Sequence, residues 1–256
     1  MRTKVRDINK MKRLIPVLLA LIIIASSSKC KEETVTVVET GKGTIEMNFK
    51  AKLNEQPFIL NKIYDLNGKK VRFSRFSFFV SNIAASTSSA STTVNKSVTL
   101  IDFKDILDSV KAAKGVTDIV SNVVLENVQS FGFGLGVALD LNKKTPKDYP
   151  STNPLSESGA YWTDWNSYIF CKFDGLVDNN NDGIFETGFA IETGGNDAYR
   201  STSFNKSLVI ANQKASVNFE LDINKLFTGV NMTQFAGDDA SIKVVMDNFK
   251  IALVLR

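Results

Sequence analysis

The chain has 256 residues, 43% of them hydrophobic, with 31 basic and 27 acidic residues, two cysteines and no histidine. The absence of histidine excludes Ser-His-Asp and Cys-His catalysis and every metal site that needs an imidazole ligand. Without its first 29 residues the chain keeps 24 basic and 26 acidic residues, so it has no basic excess with which to bind nucleic acid.

The N-terminus has the organisation of an export signal. Met11 and two basic residues precede the apolar run Leu14–Ala25, which at about a dozen residues has signal-peptide length and is too short to span a bilayer. Small residues then lead to Cys30, as in a bacterial lipobox, although Lys29 stands where a small residue is usual. Lys31–Glu33 resembles the surface-export signal of Bacteroidota lipoproteins.

We therefore predict a signal peptide over 1–29, with its true start at residue 1 or at Met11, and a lipidated tether over 30–40. Cys30 is the expected lipid anchor, and membrane attachment needs no spanning helix. The expected location is the outer membrane, on its periplasmic or outer surface. The alternative is a secreted protein that is cleaved near Ser28 and carries an unmodified Cys30.

Residues 41–256 are predicted to form a single all-β, sandwich-like domain, because alternating polar and apolar residues recur along the chain. An Asn-Gly pair before the third segment favours a tight hairpin. The predicted strands are Thr34–Val38, Gly43–Phe49, Val71–Val80, Val98–Phe103, Asn127–Ala138, Tyr168–Phe173, Phe189–Glu192, Ser207–Ile210, Ser216–Asp222 and Phe249–Leu255.

Three segments interrupt this pattern. Residues 84–97 are rich in Ser, Thr and Ala and are predicted to form a mobile loop. Asp105–Lys114 has helical spacing of its apolar residues. Asn142–Gly159 carries three of the five prolines and is predicted to be a long loop of the kind that often has a function. Cys171 lies on the apolar side of its strand, as expected for a core thiol.

The centre of the chain carries several motifs in a recognisable order. Phe133-Gly134-Leu135-Gly136 is followed by Tyr161-Trp162-Thr163-Asp164-Trp165 and then by Glu192-Thr193-Gly194-Gly195. This order resembles the MbnP-like family of exported copper-binding proteins. Ile63–Gly68 and Phe78–Ile83 extend the resemblance toward the N-terminus, so that it covers nearly the whole domain.

The resemblance implies an all-β domain and copper held with a tryptophan that a di-haem enzyme of the MauG type oxidises to kynurenine. Trp162 or Trp165 would be that tryptophan. Glu192 stands where the family has a histidine, and tight copper binding requires imidazole or sulfur ligands. The resemblance thus carries over the fold more strongly than the copper. In the alternative, Trp162 and Trp165 pack as amphipathic aromatics at a strand–loop junction.

A second motif consists of oxygen-bearing side chains. Asp178, Asn180 and Asp182 alternate before a glycine, and Glu186 follows. Calcium loops use this spacing because alternate side chains converge on one cation. Phe189 occupies the twelfth position, where an EF-hand needs a glutamate, so an EF-hand is excluded and an isolated calcium loop is predicted. The alternative is a solvated Asn/Asp turn.

These observations favour a non-catalytic lipoprotein that binds a metal or small ligand near Trp162, Trp165 and Glu192. The second hypothesis is a structural or adhesive surface module stabilised by calcium. The third is a glycoside hydrolase using two of Asp164, Asp174 and Glu192 as its carboxylates; their spacing does not test it.

Overall fold

A computed structural model describes residues 42–87, 92–124, 128–209, 211–230 and 239–256. The predicted signal peptide, tether, Cys30 and strand Thr34–Val38 lie outside these ranges. The helices are α1 (Ser109–Lys114), α2 (Leu139–Asn142), α3 (Ile223–Leu226) and α4 (Asp239–Ala252). The strands are β1 (Lys42–Leu53), β2 (Gln56–Pro57), β3 (Ile63–Leu66), β4 (Lys69–Thr87), β5 (Thr92–Asp102), β6 (Val116–Val124), β7 (Val128–Leu135), β8 (Tyr161–Trp162), β9 (Ser167–Asp178), β10 (Thr187–Gly194), β11 (Arg200–Asn205), β12 (Lys214–Asp222) and β13 (Leu253–Leu255).

The strands form two sheets. In the first sheet, β1 lies between β12 and β6, β13 pairs with β12, and β2 pairs with the end of β1. The second sheet has the order β10-β9-β4-β7-β11, and β3 and β5 also pair with β4. Most pairs are antiparallel, but β1 and β12 run parallel from Thr44 opposite Lys214 to Lys52 opposite Asp222. The predicted all-β sandwich is confirmed.

Strand β1 shows why the sequence pattern produces this fold. Its side chains alternate between buried and more exposed positions, so one face of the strand is apolar and packs into the core. Phe49 stacks on Phe219 of β12 at 4.8 Å between ring centroids. Across the sandwich, Phe49 meets Phe78 of β4 edge-on at 5.7 Å. Aromatic pairs of this kind join the two sheets.

Three sequence predictions about elements are wrong. Most of the predicted loop over 84–97 is a β4–β5 hairpin in which Ala84 pairs with Val94, because small and β-branched residues fit a paired strand. No strand covers residues 207–209; the nearby strand is β11. Much of the predicted strand Phe249–Leu255 is the end of α4, where Val245 and Phe249, four residues apart, are both buried, as on one face of a helix.

The long loop between α2 and β8 covers part of the second sheet. It contains short 3-10 turns at two of its prolines, and Leu155 is fully buried beneath it. The hydroxyl of Tyr168 donates to the carbonyl of Leu155 at 2.9 Å, which holds the loop against β9. Within the described ranges, no helix has the length and apolar character needed to cross a membrane.

Candidate functional site

The two tryptophans of the chain lie together on the hairpin of β8 and β9. Tyr161 and Trp162 pair with Tyr168 and Ser167 across this hairpin. The indole rings of Trp162 and Trp165 stack with their centroids 5.3 Å apart and an angle of 29° between their planes. Trp162 is 38% exposed, so the pair presents an aromatic surface to solvent.

A buried polar network attaches this hairpin to the end of β10. Asn142 donates to Oγ of Ser167 at 3.1 Å and accepts from the backbone N–H of Tyr168 at 2.9 Å. Oγ of Ser167 also accepts from the backbone N–H of Gly195 at 2.8 Å. Asn142 and Ser167 are both buried. Sequence reasoning selected neither residue, although Asn142 opens the long loop that it marked as a functional candidate.

Trp165 packs against the backbone of β10 at Gly194. A Cβ atom on Gly194 would lie 3.0 Å from Cε3 of Trp165 and 2.7 Å from the carbonyl oxygen of Tyr168. Only glycine allows this close approach without movement of a neighbour. Glu192 lies two residues earlier on β10, so this strand carries both Glu192 and the glycine against which Trp165 packs.

Glu192 is buried and paired with a lysine. It is 4% exposed and lies opposite Lys172 in the register of β9 and β10. Nζ of Lys172 donates to Oε1 of Glu192. Oε2 of Glu192 has no hydrogen-bond partner among the described residues. Because a buried carboxylate is tolerated only when it is paired, Lys172 is the cation that compensates Glu192.

Asp174 and Asp164, the other two candidate carboxylates for glycoside hydrolysis, differ in their surroundings. Asp174 lies 4.0 Å from Nζ of Lys172 and 3.9 Å from Arg75. Burial raises the pKa of Asp174 above its usual value, while Lys172 and Arg75 act in the opposite direction. Asp164 lies in the exposed turn between β8 and β9. Asp174 and Glu192 therefore share one lysine, and Asp164 belongs to the tryptophan hairpin.

A groove of about 440 Å³ opens beside Lys172 on the same sheet. Its volume suits a small organic molecule. Its lining combines an apolar surface with charges of both signs, contributed by Phe79, Leu100, Ile169, Ala160, Arg75, Lys104, Lys172, Asp102 and Glu157. Gly159 and Ala160 of the lining directly precede the tryptophan hairpin, so the groove adjoins that hairpin.

The residues at Glu192 do not fit the copper site that the resemblance implies. The chain has no histidine, and the carboxylate is occupied by Lys172. The nearby sulfur atoms belong to the core: Cys171 is buried, and Met246 accepts a hydrogen bond from the hydroxyl of Thr193 at 3.3 Å. Burial raises the pKa of the Cys171 thiol far above its usual value, which disfavours the thiolate that a metal would need.

The predicted calcium loop connects β9 to β10. Carboxylate oxygens of Asp178, Asp182 and Glu186 all lie within 4.8 Å of one another. Asp178 is buried, whereas Asp182 and Glu186 are exposed. The Asn180 amide donates to Oδ2 of Asp182 at 3.0 Å. The structure therefore brings together three of the four predicted ligands. The fourth, Asn180, is hydrogen-bonded to Asp182.

Backbone N–H groups hold this loop in its shape. Asp178 accepts from the N–H of Asp182 at 3.2 Å and of Gly183 at 2.8 Å. Asp182 accepts from the N–H of Ile184 at 2.8 Å. Gly183 has a φ of +92°, a left-handed conformation that glycine adopts without strain. The donor set contains only oxygen atoms, which suits a hard cation such as calcium.

The two candidate sites lie at opposite ends of β9. The tryptophan hairpin is at the Ser167 end, and the acidic loop begins at Asp178. At about 3.3 Å per residue, the strand separates them by up to roughly 35 Å. A ligand at one site therefore does not contact the other, and the two sites can be tested independently.

Comparison with known proteins assigns the chain to a family. The MbnP family model matches residues 42–246, which is most of the chain. The chain belongs to the MbnP family. The fold of this chain is also similar to the solved structure of MbnP from Methylosinus trichosporium, with a TM-score of 0.58 over 80% of this chain and 87% of that one. No curated protein matches the sequence.

Membership of the MbnP family confirms the resemblance predicted from the motif order. The identity to the Methylosinus protein is 13%, so this likeness shows the fold alone. The MbnP family is linked to metal binding, and the acidic loop is a candidate metal site in this MbnP domain.

Proposed function

We propose that this chain is an exported, lipid-anchored MbnP-domain protein that acts by binding rather than by catalysis and holds calcium in the 178–186 loop. The observation that carries the proposal is the convergence of the carboxylates of Asp178, Asp182 and Glu186 within 4.8 Å. Like charges so close together repel one another, and a divalent cation between them removes that repulsion.

Calcium suits this loop better than other common metal ions. It accepts six to eight oxygen ligands in irregular geometry, whereas magnesium requires a near-octahedral set and copper prefers nitrogen or sulfur. Backbone carbonyls and water would complete the coordination around Asp178, Asp182 and Glu186. The only nearby lysine contact described for the loop is that of Lys69, which donates to the carbonyl of Asn179 and leaves the carboxylates to the cation.

Calorimetric titration of the purified chain with calcium, after treatment with a chelator, tests this proposal. We expect one binding event per chain and a higher melting temperature in calcium than in chelator. Asp182→Asn should abolish both effects because it removes the charge of one ligand. The variant keeps the side-chain oxygen that accepts from the backbone N–H of Ile184. Asp164→Asn, an exposed acid at the other end of β9, should leave both unchanged. Identical melting curves with and without calcium would reject the site.

Elemental analysis separates calcium from copper. We expect stoichiometric calcium and no copper in protein purified from cells supplied with both, because Glu192 is paired with Lys172 and the chain lacks histidine. Copper in a one-to-one ratio that survives Asp182→Asn would place metal binding elsewhere. Protein purified without calcium would reject the proposal for the acidic loop.

Lipid anchoring at Cys30 is a separate part of the proposal. It is supported by the signal-like residues 1–29, by the lone cysteine that follows them and by Lys31–Glu33. Labelling of cells with palmitate should mark the wild-type protein and not Cys30→Ala. Equal absence of label from both proteins would mean that the protein is secreted without an anchor.

A second candidate function concerns the tryptophan pair. Trp162 is exposed and stacked on Trp165, which makes an indole accessible to a redox partner, such as a di-haem enzyme of the MauG type. Intact mass measured from cells with and without that enzyme should differ by the oxidation of one tryptophan. Trp162→Phe and Trp165→Phe then identify the modified ring, and an unchanged mass in the presence of the enzyme rejects this function.

A further inference from the structure

The described part of the chain begins at one end of the sandwich. Several exposed apolar and basic residues lie at the same end. Lys42, the first residue of β1, pairs with Val124, the last residue of β6. On the other side of β1, Thr44 pairs with Lys214, and its N–H donates to the carbonyl of Gln213 at 3.0 Å. The beginning of β12 and the end of β6 therefore flank the beginning of β1.

The segment that follows β11 joins the same end. The backbone N–H of Leu208 donates to the carbonyl of Val128 at 3.2 Å, and Val128 begins β7 just after the end of β6. We call the surface formed by Lys42, Val124, Leu208, Val209 and Lys214 the entry face.

The entry face is apolar and basic. Val209 is 87% exposed and Val124 is 49% exposed, and a fully exposed valine offers no stability to the domain itself. The lysines of the entry face are Lys42 and Lys214, and the segments 42–43, 123–124, 206–209 and 211–214 contain no aspartate or glutamate. Exposed apolar side chains among lysines are typical of surfaces that rest on anionic lipid.

The opposite end of the domain has a different character. Asp178 pairs with the start of β4 at Lys70, so the acidic loop lies at the end of the second sheet away from the β4–β5 hairpin. Asp65 in β3 and Glu55 in the turn after β1 lie at the same end, where they pair with Lys70 and Lys52. Among the described residues, the entry face thus carries no aspartate or glutamate, whereas the loop at the other end carries three converging carboxylates.

The tether limits the distance between the entry face and an anchor. Twelve peptide units join Cys30 to Lys42, and a fully extended chain of that length spans about 40 Å. We propose that the entry face is a membrane-contact surface that lies on the anionic lipid to which Cys30 is attached and turns the acidic loop away from the bilayer. This inference rests on the lipid anchor of the proposed function.

Fluorophore labelling in vesicles tests the inference. Val209→Cys and Val110→Cys each place one accessible thiol in the lipidated protein, because Cys171 is buried. Val110 is a matched control because it is 78% exposed and lies far from the entry face. It belongs to α1, which leads into the start of β6, whereas Val124 of the entry face is at the end of β6. In phosphatidylethanolamine–phosphatidylglycerol vesicles, we expect a blue shift and quenching by doxyl lipids at position 209 and neither at position 110. Equal, water-like emission at both positions overturns the proposal.

Vesicle co-sedimentation separates this proposal from the anchor. If Cys30 carries no lipid in cells, the anchor fails, and the Cys30→Ala chain then tests the entry face alone. The entry face is supported if the Cys30→Ala chain still binds anionic vesicles and loses this binding when Val209→Asp and Lys214→Glu are added. Val110→Asp with Lys111→Glu should leave that binding unchanged. No binding of the Cys30→Ala chain, combined with equal emission at positions 209 and 110, overturns it.

Discussion

Lys172 and Glu192 face each other across β9 and β10, and the ammonium of Lys172 donates to Oε1 of a carboxylate that is 4% exposed. The two partners differ in their surroundings. The Lys172 side chain is 21% exposed and also approaches Asp174, whereas Oε2 of Glu192 has no hydrogen-bond partner among the described residues. The carboxylate therefore depends on the lysine more than the lysine depends on the carboxylate.

Lys172→Met is expected to destabilise the domain more than Glu192→Gln. Removal of the lysine leaves a buried, unpaired carboxylate, which costs about 3 to 5 kcal/mol. Removal of the charge from Glu192 leaves a lysine that still reaches water and Asp174, so we expect a cost of about 1 to 2 kcal/mol. Urea unfolding at neutral pH measures both values.

The double variant Lys172→Met with Glu192→Met provides the control. Because it replaces both charges with apolar side chains, it should recover most of the stability that Lys172→Met loses. A double variant that is as unstable as the sum of its single variants would show that Lys172 acts through packing rather than through its charge.

Gly194→Ala should displace Trp165. The added methyl group would lie 3.0 Å from the indole and 2.7 Å from the carbonyl of Tyr168, so we expect a loss of about 1 to 3 kcal/mol and a change in tryptophan fluorescence. Gly159→Ala is the control, because its Cβ would have no neighbour within 4 Å. If both variants fluoresce like the wild type, Trp165 does not need glycine at position 194.

The sequence was sufficient to predict the parts of the fold that depend on local pattern. Alternation identified β1 and β9, and the Asp178–Glu186 spacing identified the loop whose carboxylates converge. The parallel pairing of β1 with β12 was not predictable, because Thr44 and Lys214 are distant in the sequence and neither carries a pairing signal. Helix α4 was missed because the apolar run that follows Phe249 suits a strand equally well.

The candidate site was only partly predictable for the same reason. The tryptophans and Glu192 were selected from the order of motifs. Their partners follow from register: Lys172 meets Glu192 only because β9 and β10 pair with this alignment, and a shift of one residue would turn the lysine to the other face. Asn142 reaches Ser167 through the path of a loop, which alternation does not describe.

Cys171 should resist modification in the native protein, even in alkali. Burial raises the pKa of its thiol, and the thiolate is the reactive form. In the Cys30→Ala chain we expect no reaction with iodoacetamide at about pH 9, where an ordinary thiol with a pKa near 8.5 is mostly ionised. One thiol per chain should react after unfolding in urea. Rapid labelling without urea would mean that β9 opens locally.

The ion pair between Glu220 and Arg256 should make stability depend on pH. The hydrogen bond from Arg256 lowers the pKa of the Glu220 carboxyl below its usual value, and Lys52 acts in the same direction. A carboxyl whose pKa is lower in the folded state stabilises the fold above its unfolded pKa of about 4.3, and this contribution is lost as the pH falls through the folded value. Glu220→Gln should therefore reduce the urea midpoint at pH 7 relative to the wild type. The urea midpoints of the two proteins should converge in acid, where the wild-type carboxyl is protonated. The difference between the midpoints at pH 7 should shrink in high salt, because the ion pair is partly exposed. A difference that persists unchanged in acid would assign the effect to side-chain packing instead.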